Sequence, residues 1–305
     1  KMALQYWQNK GQPNKNKFIC FRGGYHGDTL GAISVSSPEE GMHHAFRHVM
    51  PKQYVLDIPS GEYALAEFQE MMSGIGRNVA GLIIEPLVQG AEGMRFHSPD
   101  VLAAIYQAAR ENDVLFIADE VATGFGRTGL MFACEEAGIS PDIMCLSKAL
   151  TGGTIPLAAT MAQEWVFEAF LSHSMEHAFV HGPTYMANPL ACSAAIASLE
   201  LFEREDRLAQ IEAIEMQLHD ELMPCRAIEG VADVRIKGAI GVVELEGEID
   251  RHWFNTRFVE EGVWIRPLEN IVYLMPAFTI SKKALRSLTG AVMRVIKEWS
   301  EHRRT

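Results

Sequence analysis

The 305-residue sequence is poor in cysteine, in long apolar runs and in basic charge. Its five cysteines, Cys20, Cys134, Cys145, Cys192 and Cys225, are odd in number and show no C-x-x-C spacing. That argues against a disulfide framework; reduced, mostly buried thiols of a cytosolic protein are expected instead. The most apolar segment, 185–202, is interrupted by Asn188, Pro189 and Glu200 and dominated by small residues. It reads as a packed helix, not a membrane span, and no signal peptide is visible. Basic residues number 27 against 39 acidic ones, a formal net charge of −12. A phosphate backbone demands a basic surface, so nucleic acid is not expected as the main partner. Internal repeats, low-complexity tracts and long flexible linkers are also missing.

What is present is apolar material for a large core, 48% hydrophobic residues against 22% charged. Two runs, 114–118 (VLFIA) and 143–146 (IMCL), are short, rich in large hydrophobes and bounded by polar or turn residues. Strands buried on both faces of a parallel sheet look like this. The first run leads into Asp119-Glu120 and the second into Lys148. Ligands of open α/β sheets bind outside the carboxyl ends of the strands. Neighbouring strands lie roughly 4.8 Å apart, so Asp119 and Lys148 can face one pocket if their strands are close in the sheet. Such a pair suits pyridoxal phosphate: the lysine forms a Schiff base, and the carboxylate keeps the pyridine nitrogen protonated so that the ring absorbs electrons. A lone Asp or Lys at a strand end is more often a solvated loop residue. The surroundings make this pair informative: Gly124, Gly126, Arg127 and Gly129 follow the aspartate, and Ala-Leu-Thr-Gly-Gly follows the lysine.

The run DEVATGFGRTG followed by PDIMCLSKALTGG resembles the signature of the class III aminotransferases, within the fold-type I pyridoxal phosphate enzymes. The resemblance implies an α/β fold with a mainly parallel central sheet flanked by helices, and pyridoxal phosphate as cofactor. It implies Lys148 and Asp119 as catalytic residues that also bind the cofactor. Gly23-Gly24-Tyr25-His26-Gly27-Asp28 follows a short strand at 17–21 and resembles the family's G-Y-H-G motif, whose aromatic residue stacks on the cofactor ring. Tyr25 and His26 are thus expected at the cofactor, with Tyr25 also lining the substrate pocket. A further buried strand, 79–84, ends at Glu85-Pro86 and a glycine-rich turn. By resemblance Glu85 supports the site from behind and Gln89 approaches the cofactor. In Gly182-Pro183-Thr184 the threonine is implied to reach the cofactor phosphate of the other subunit of a homodimer, with Pro183 beside it and Gly182 near the substrate. Thr184 also suits the cap of the coming helix. Asp28 and Arg127 are expected to pair near the pocket mouth.

The chain opens KMALQYWQNKG as if midway through a helix ending near Gly11, so a preceding segment is expected. In the family that segment holds a phosphate-binding turn and pocket aromatics. His43, His44 and His48 lack carboxylate or cysteine partners at ligand spacing, and no metal is expected. Ser98-Pro99 starts a helix with Leu102, Ile105 and Ala109 inward; a strand is expected at 157–161. Near residue 200 the texture changes, dividing a large domain, 1–202, from a small α+β domain, 203–305. In the latter, Leu208, Ile211, Ile214, Leu218 and Leu222 give one helix a buried face. Paired strands are expected at 234–236 and 240–245, a helix at 254–261, two strands at 263–267 and 271–276, and a last helix from Ser281.

GVWIRPLENIVYLMP, KGAIGVVEL, HGPTYMANPLAC and GYHGDTLGAISV resemble the biotin-pathway branch of the family. That implies S-adenosylmethionine as amino donor and 8-amino-7-oxononanoate as acceptor. Arg266 is then implied to bind the acceptor's carboxylate, a task its planar fork suits, with Tyr273 lining the same pocket. Glutamate-using members often carry a carboxylate shortly after the E-P-x-x-Q-G segment. Ala91 at that place disfavours glutamate as donor, whereas Glu92 there reverses the conclusion. Alternatives are an ω-aminotransferase acting on a diamine or β-amino acid with pyruvate, an aminomutase of the same fold, and a non-catalytic protein of that fold.

Overall fold

The short apolar runs of the first two thirds of the chain assemble into a six-stranded sheet. The structure, a computed structural model, describes residues 1–36, 41–91 and 93–303. In chain order the strands are β1 (Lys17–Phe21), β2 (Tyr54–Leu56), β3 (Val79–Ile84), a small β4 (Val88–Gln89) and β5 (Arg95–Phe96) hairpin, β6 (Leu115–Asp119), β7 (Ile143–Leu146) and β8 (Ala159–Ala162). The large sheet runs β2-β1-β3-β6-β7-β8, parallel throughout except for β8, which is antiparallel to β7. Its middle is dry: Val79, Ala80, Leu82 and Ile84 of β3 and Leu115 to Ala118 of β6 are all buried. Burial on both faces explains why these strands read as continuous apolar runs instead of alternating.

The helices of this part are α1 (Met2–Asn9), α2 (Leu30–Ile33), α3 (Glu62–Ile75), α4 (Pro99–Glu111), α5 (Ala133–Glu136), α6 (Glu164–Glu168) and α7 (Pro189–Arg204). α1 buries Ala3, Tyr6 and Trp7, and Trp7 Nε1 donates to Ala80 O at 2.7 Å, pinning the helix to β3. Ser98 caps α4 by accepting from Val101 N at 3.3 Å, and Leu102, Ile105, Ala108 and Ala109 face the core. α7 buries only Ala191 and Ala195; Leu190 and Ile196 stay exposed.

The remainder holds α8 (Arg207–Leu222), β9 (Val231–Lys237), β10 (Ile240–Leu245), α9 (Arg251–Glu260), β11 (Ile271–Leu274) and α10 (Lys282–His302). An antiparallel sheet ordered β11-β10-β9 packs with these helices around Ile211, Leu218, Val243, Phe254, Phe258 and Ile296. α8 turns Ile211, Ile214, Leu218 and Leu222 inward but leaves Leu208 exposed, and Ser281 caps α10 through Ala284 N. The chain divides into two compact units, Lys1–Gly124 with Phe132–Leu199, and Phe125–Met131 with Glu200–Thr305. The second unit thus reclaims seven residues from the middle of the first.

Two local expectations are corrected. Residues 263–267 form no strand; only β11 does, and the turn before it closes on itself through reciprocal Leu268–Ile271 backbone bonds of 3.0 and 2.8 Å. Pro267 has no N–H to give a ladder. The strand expected from Leu157 begins at Ala159 because Leu157 O is engaged by Ser147 Oγ at 2.7 Å. No helix among the described residues is long and apolar enough to cross a membrane.

Candidate active site

The sheet order sets β1, β3, β6 and β7 side by side with their carboxyl ends at one edge. The turn bearing Tyr25 and His26 leaves β1 there, Glu85 follows β3, Asp119 ends β6, and Lys148 comes two residues after β7. β6 and β7 are hydrogen-bonded neighbours with Asp119 opposite Cys145, so the aspartate and lysine leave adjacent strands at the same edge. That edge is where open α/β sheets bind ligands.

Asp119 is nearly buried and held at both oxygens. Its Oδ1 accepts from Val121 N at 3.1 Å, and its Oδ2 lies 2.7 Å from His26 Nδ1. A carboxylate can only accept, so the imidazole proton sits on Nδ1. His26 Nε2 is buried without a partner. Glu85 ties two turns together: Oε2 accepts from Tyr25 N and Oε1 from Gly90 N, both at 3.0 Å. Burial pushes its carboxyl above the usual range, with the Asp119 charge adding to the rise. Gln89 is buried and donates to Arg22 O at 3.0 Å. Gly24 cannot be replaced cheaply, since a Cβ there would stand 2.9 Å from Phe21 O. Tyr25 is half-buried and its hydroxyl donates to Asp28 Oδ1 at 2.9 Å.

Lys148 opens a tight turn, Lys148–Thr151, with φ of 44°. A left-handed conformation in a non-glycine residue costs about 1–3 kcal/mol and concentrates at functional positions. The turn is braced by Thr151 Oγ1 on Ile155 O at 2.6 Å and by Ser198 Oγ on Ala149 O at 3.3 Å. The lysine side chain is exposed.

Gly182, Pro183 and Thr184 sit in an exposed stretch before α7. Arg127 belongs to the second unit, where Nη1 donates to Ala239 O at 3.0 Å and Pro276 O at 2.9 Å, and the guanidinium lies 4.5 Å from the Phe278 ring centroid. Burial pulls its pKa down to about 10. Arg266 is exposed, and Tyr273 stands on β11 opposite Val242. Ala91 is half-buried, while Glu92 and the side chain of His43 lie outside the described residues. Among the described residues no group of three or more His, Cys, Asp or Glu is placed to hold a metal.

Sequence reading missed two supporting residues, Glu120 and His97, and one contact, that of His26 with Asp119. His26 was expected at the cofactor, not on Asp119. Glu120, fully buried, accepts from Thr123 Oγ1 at 2.5 Å and Cys134 N at 2.9 Å, fastening the start of α5. His97 Nε2 accepts from Leu87 N at 3.0 Å and steadies the hairpin that carries Gln89. The only signal for Glu120 was its place beside Asp119; His97 gave none.

The aminotransferase class-III family model matches residues 1–296. The chain belongs to the class III aminotransferases. A relative from Mycobacterium leprae, named adenosylmethionine-8-amino-7-oxononanoate aminotransferase, is 41% identical over 298 residues, 97% of this chain and 68% of that protein. One of the same name from Corynebacterium glutamicum is 40% identical, over 97% of this chain and 71% of its own. Among solved structures, the enzyme of that name from Methanocaldococcus jannaschii superposes with a TM-score of 0.92 at 36% identity, covering 97% of this chain and 71% of that one. An amine transaminase from an uncultivated Pseudomonas species, in its PLP-bound form, gives 0.90 at 29% identity over 97% and 73%. As a class III member the chain is a transaminase, with the α/β fold of those neighbours.

Proposed function

We propose that this aminotransferase moves an amino group from S-adenosylmethionine to the ketone of 8-amino-7-oxononanoate, yielding 7,8-diaminononanoate for biotin synthesis. The carrying observation is the identity to relatives of that name over nearly the whole chain. Pyridoxal phosphate is the cofactor in this reading, and the residues present fit it. A buried carboxylate with fixed orientation suits a protonated pyridine nitrogen, and the half-buried Tyr25 ring suits a flat aromatic partner. The strained, exposed Lys148 supplies the amine.

Bound there, the cofactor supplies an electron sink that makes the hydrogen on the donor's amine-bearing carbon acidic. Lys148 Nζ takes that proton as general base and delivers one as general acid. Asp119 holds the positive charge of the pyridine nitrogen in place. Tyr25 presents an aromatic face, and Glu85 fixes the backbone from which that ring projects. Arg266 binds the acceptor's carboxylate, with Tyr273 beside it, and Asp28, Arg127 and Gly182 shape the entrance. The protein works as a homodimer in which Thr184, with Pro183, reaches the partner's cofactor phosphate. Exposed Leu171, Met175, Val180, Tyr185, Met186 and Leu190 support a covered surface around that threonine. The five free cysteines support a cytoplasmic setting.

Mixing the cofactor-loaded, full-length protein with S-adenosylmethionine is expected to bleach the visible band of lysine-bound cofactor. Adding 8-amino-7-oxononanoate should restore it. Turnover of diamines or β-amino acids with pyruvate, and none with S-adenosylmethionine, overturns the assignment.

A further inference from the structure

We propose that Gln5 and Asn9 of α1 are positioning residues for Thr184, fixing the chain that carries it; this rests on the phosphate role given to Thr184 above. The connection between α6 and α7 is long, and over 171–187 only His177, Ala178 and Phe179 are half-buried, the rest being exposed. This half-buried patch meets a polar stripe of α1, formed because helical positions four apart lie on one face. Gln5 Nε2 donates to Ala178 O at 2.8 Å and to His177 O at 3.3 Å, and Asn9 Nδ2 donates to His177 O at 3.1 Å. Lys1 Nζ continues the stripe with a bond to Val180 O at 3.1 Å. The Phe179 ring adds an edge contact to Phe170, with centroids 5.6 Å apart. α1 is itself a firm base, because it buries Ala3, Tyr6 and Trp7 and is pinned to β3.

Beyond this tether the chain turns at His181, whose N donates to Phe179 O at 3.0 Å, and then reaches Gly182-Pro183-Thr184. A second tether lies just downstream. Asn188 Oδ1 accepts from Leu190 N at 3.0 Å and Asn188 O from Cys192 N at 2.9 Å, which ties the chain to the start of α7. Between the tethers Tyr185 and Ala187 adopt left-handed backbone, with φ of 67° and 53°. Non-glycine residues keep such conformations only where their surroundings over-determine them, and they cluster at ligand clamps. Thr184 is thus an exposed residue on a strained arch with two feet. One foot is α7; the other depends on the side-chain amides of Gln5 and Asn9. Removing those amides should leave α1 folded, since its buried face is held by Ala3, Tyr6 and Trp7, but let the approach to Thr184 drift.

The experiment compares dissociation constants of pyridoxal phosphate and of pyridoxal, which lacks the phosphate, for the full-length protein with no substrate present. Thr184→Ala should weaken pyridoxal phosphate by about ten- to a hundredfold, the scale of one hydrogen bond to a charged group, and pyridoxal by less than about twofold. Gln5→Leu together with Asn9→Leu should reproduce part of that loss, about three- to tenfold, again for the phosphorylated form alone. In a Thr184→Ala background the same pair should add less than about twofold. Gln5→Lys keeps an N–H for these carbonyls, as Lys1 does for Val180 O, and should stay within about twofold of the parent. In carbon-13 methyl relaxation of the cofactor-free protein, the Thr184 methyl should become more mobile in the double variant and stay as ordered as the parent in Gln5→Lys. The proposal is overturned if the double variant weakens both cofactors equally, if its penalty adds to that of Thr184→Ala, or if the Thr184 methyl is unaffected. If Thr184→Ala does not distinguish the two cofactors, the phosphate reading of Thr184 falls, while the methyl spectrum still decides whether α1 fixes this segment.

Discussion

The two units differ in where they hide charge. Among the described residues, all buried charged side chains, Lys15, Glu85, Asp119, Glu120 and Asp142, belong to the first unit. The second fully buries only hydroxyls among its polar groups, Thr128, Thr289 and Ser300, leaves Arg127 half-buried, and keeps ion pairs such as Arg226–Asp233 and Arg257–Glu298 nearer its surface. Burying charge without full pairing costs free energy, so a unit that does so repeatedly retains it for a reason. Position separates the reasons. Asp142 caps Phe116 N at 2.7 Å, and Lys15 lies over the Trp7 ring, both structural tasks. Glu85 and Asp119 follow the carboxyl ends of parallel strands, where a ligand would arrive.

That contrast can be broken experimentally. The largest expected effect is chemical: Lys148→Ala should reduce turnover by at least about a thousandfold and remove the lysine-bound cofactor band, with unchanged thermal stability. A retained band would remove Lys148 from the site. The second unit should respond the opposite way. Phe254 is fully buried beside Phe258 and Trp299, so Phe254→Ala should cost about 3–5 kcal/mol in denaturant melts. Its kcat in the folded protein should change little. A large fall in kcat with an unchanged melting curve would show that Phe254 acts on turnover and not only on packing.

The smallest effect concerns protons. Burial pushes the His97 ring down to about 4, against an ordinary value near 6.5. Between these values the unfolded chain binds a proton that the fold refuses. Stability therefore falls as pH drops through that window, by on the order of 3 kcal/mol in all, and is insensitive to this group well above pH 7. Urea melts at pH 7.5, 5.5 and 4.5 should show a shallower loss in His97→Asn. Equal slopes would remove His97 as the sensitive group.

The central strands and the strand-end Asp119 and Lys148 were legible because double-sided burial writes continuous apolar runs, and because the residues after them are polar. α4, α8 and α10 were legible through caps and one-sided periodicity. β2 and α3 escaped notice: β2 is three residues long, and α3 buries only Phe68 and Met72. Residues 263–267 misled because their alternation of buried Ile265 and Pro267 with exposed Trp264 and Arg266 mimics a strand that Pro267 cannot pair. His26 on Asp119 was illegible because the contact spans 93 positions and depends on which strands became neighbours.

The excursion of residues 125–131 limits how the polypeptide can be dissected. Ala239 N holds Arg127 O at 3.0 Å, and a Cβ on Gly126 would collide with Ile211 Cδ1 at 2.5 Å. A clone ending at 199 would carry that hairpin-seated peptide with nothing to sit on, and a clone starting at 200 would expose the empty seat. Severing the gene at its obvious border therefore yields two damaged pieces, and a workable split protein would have to transplant the seven-residue tongue along with the C-terminal fragment.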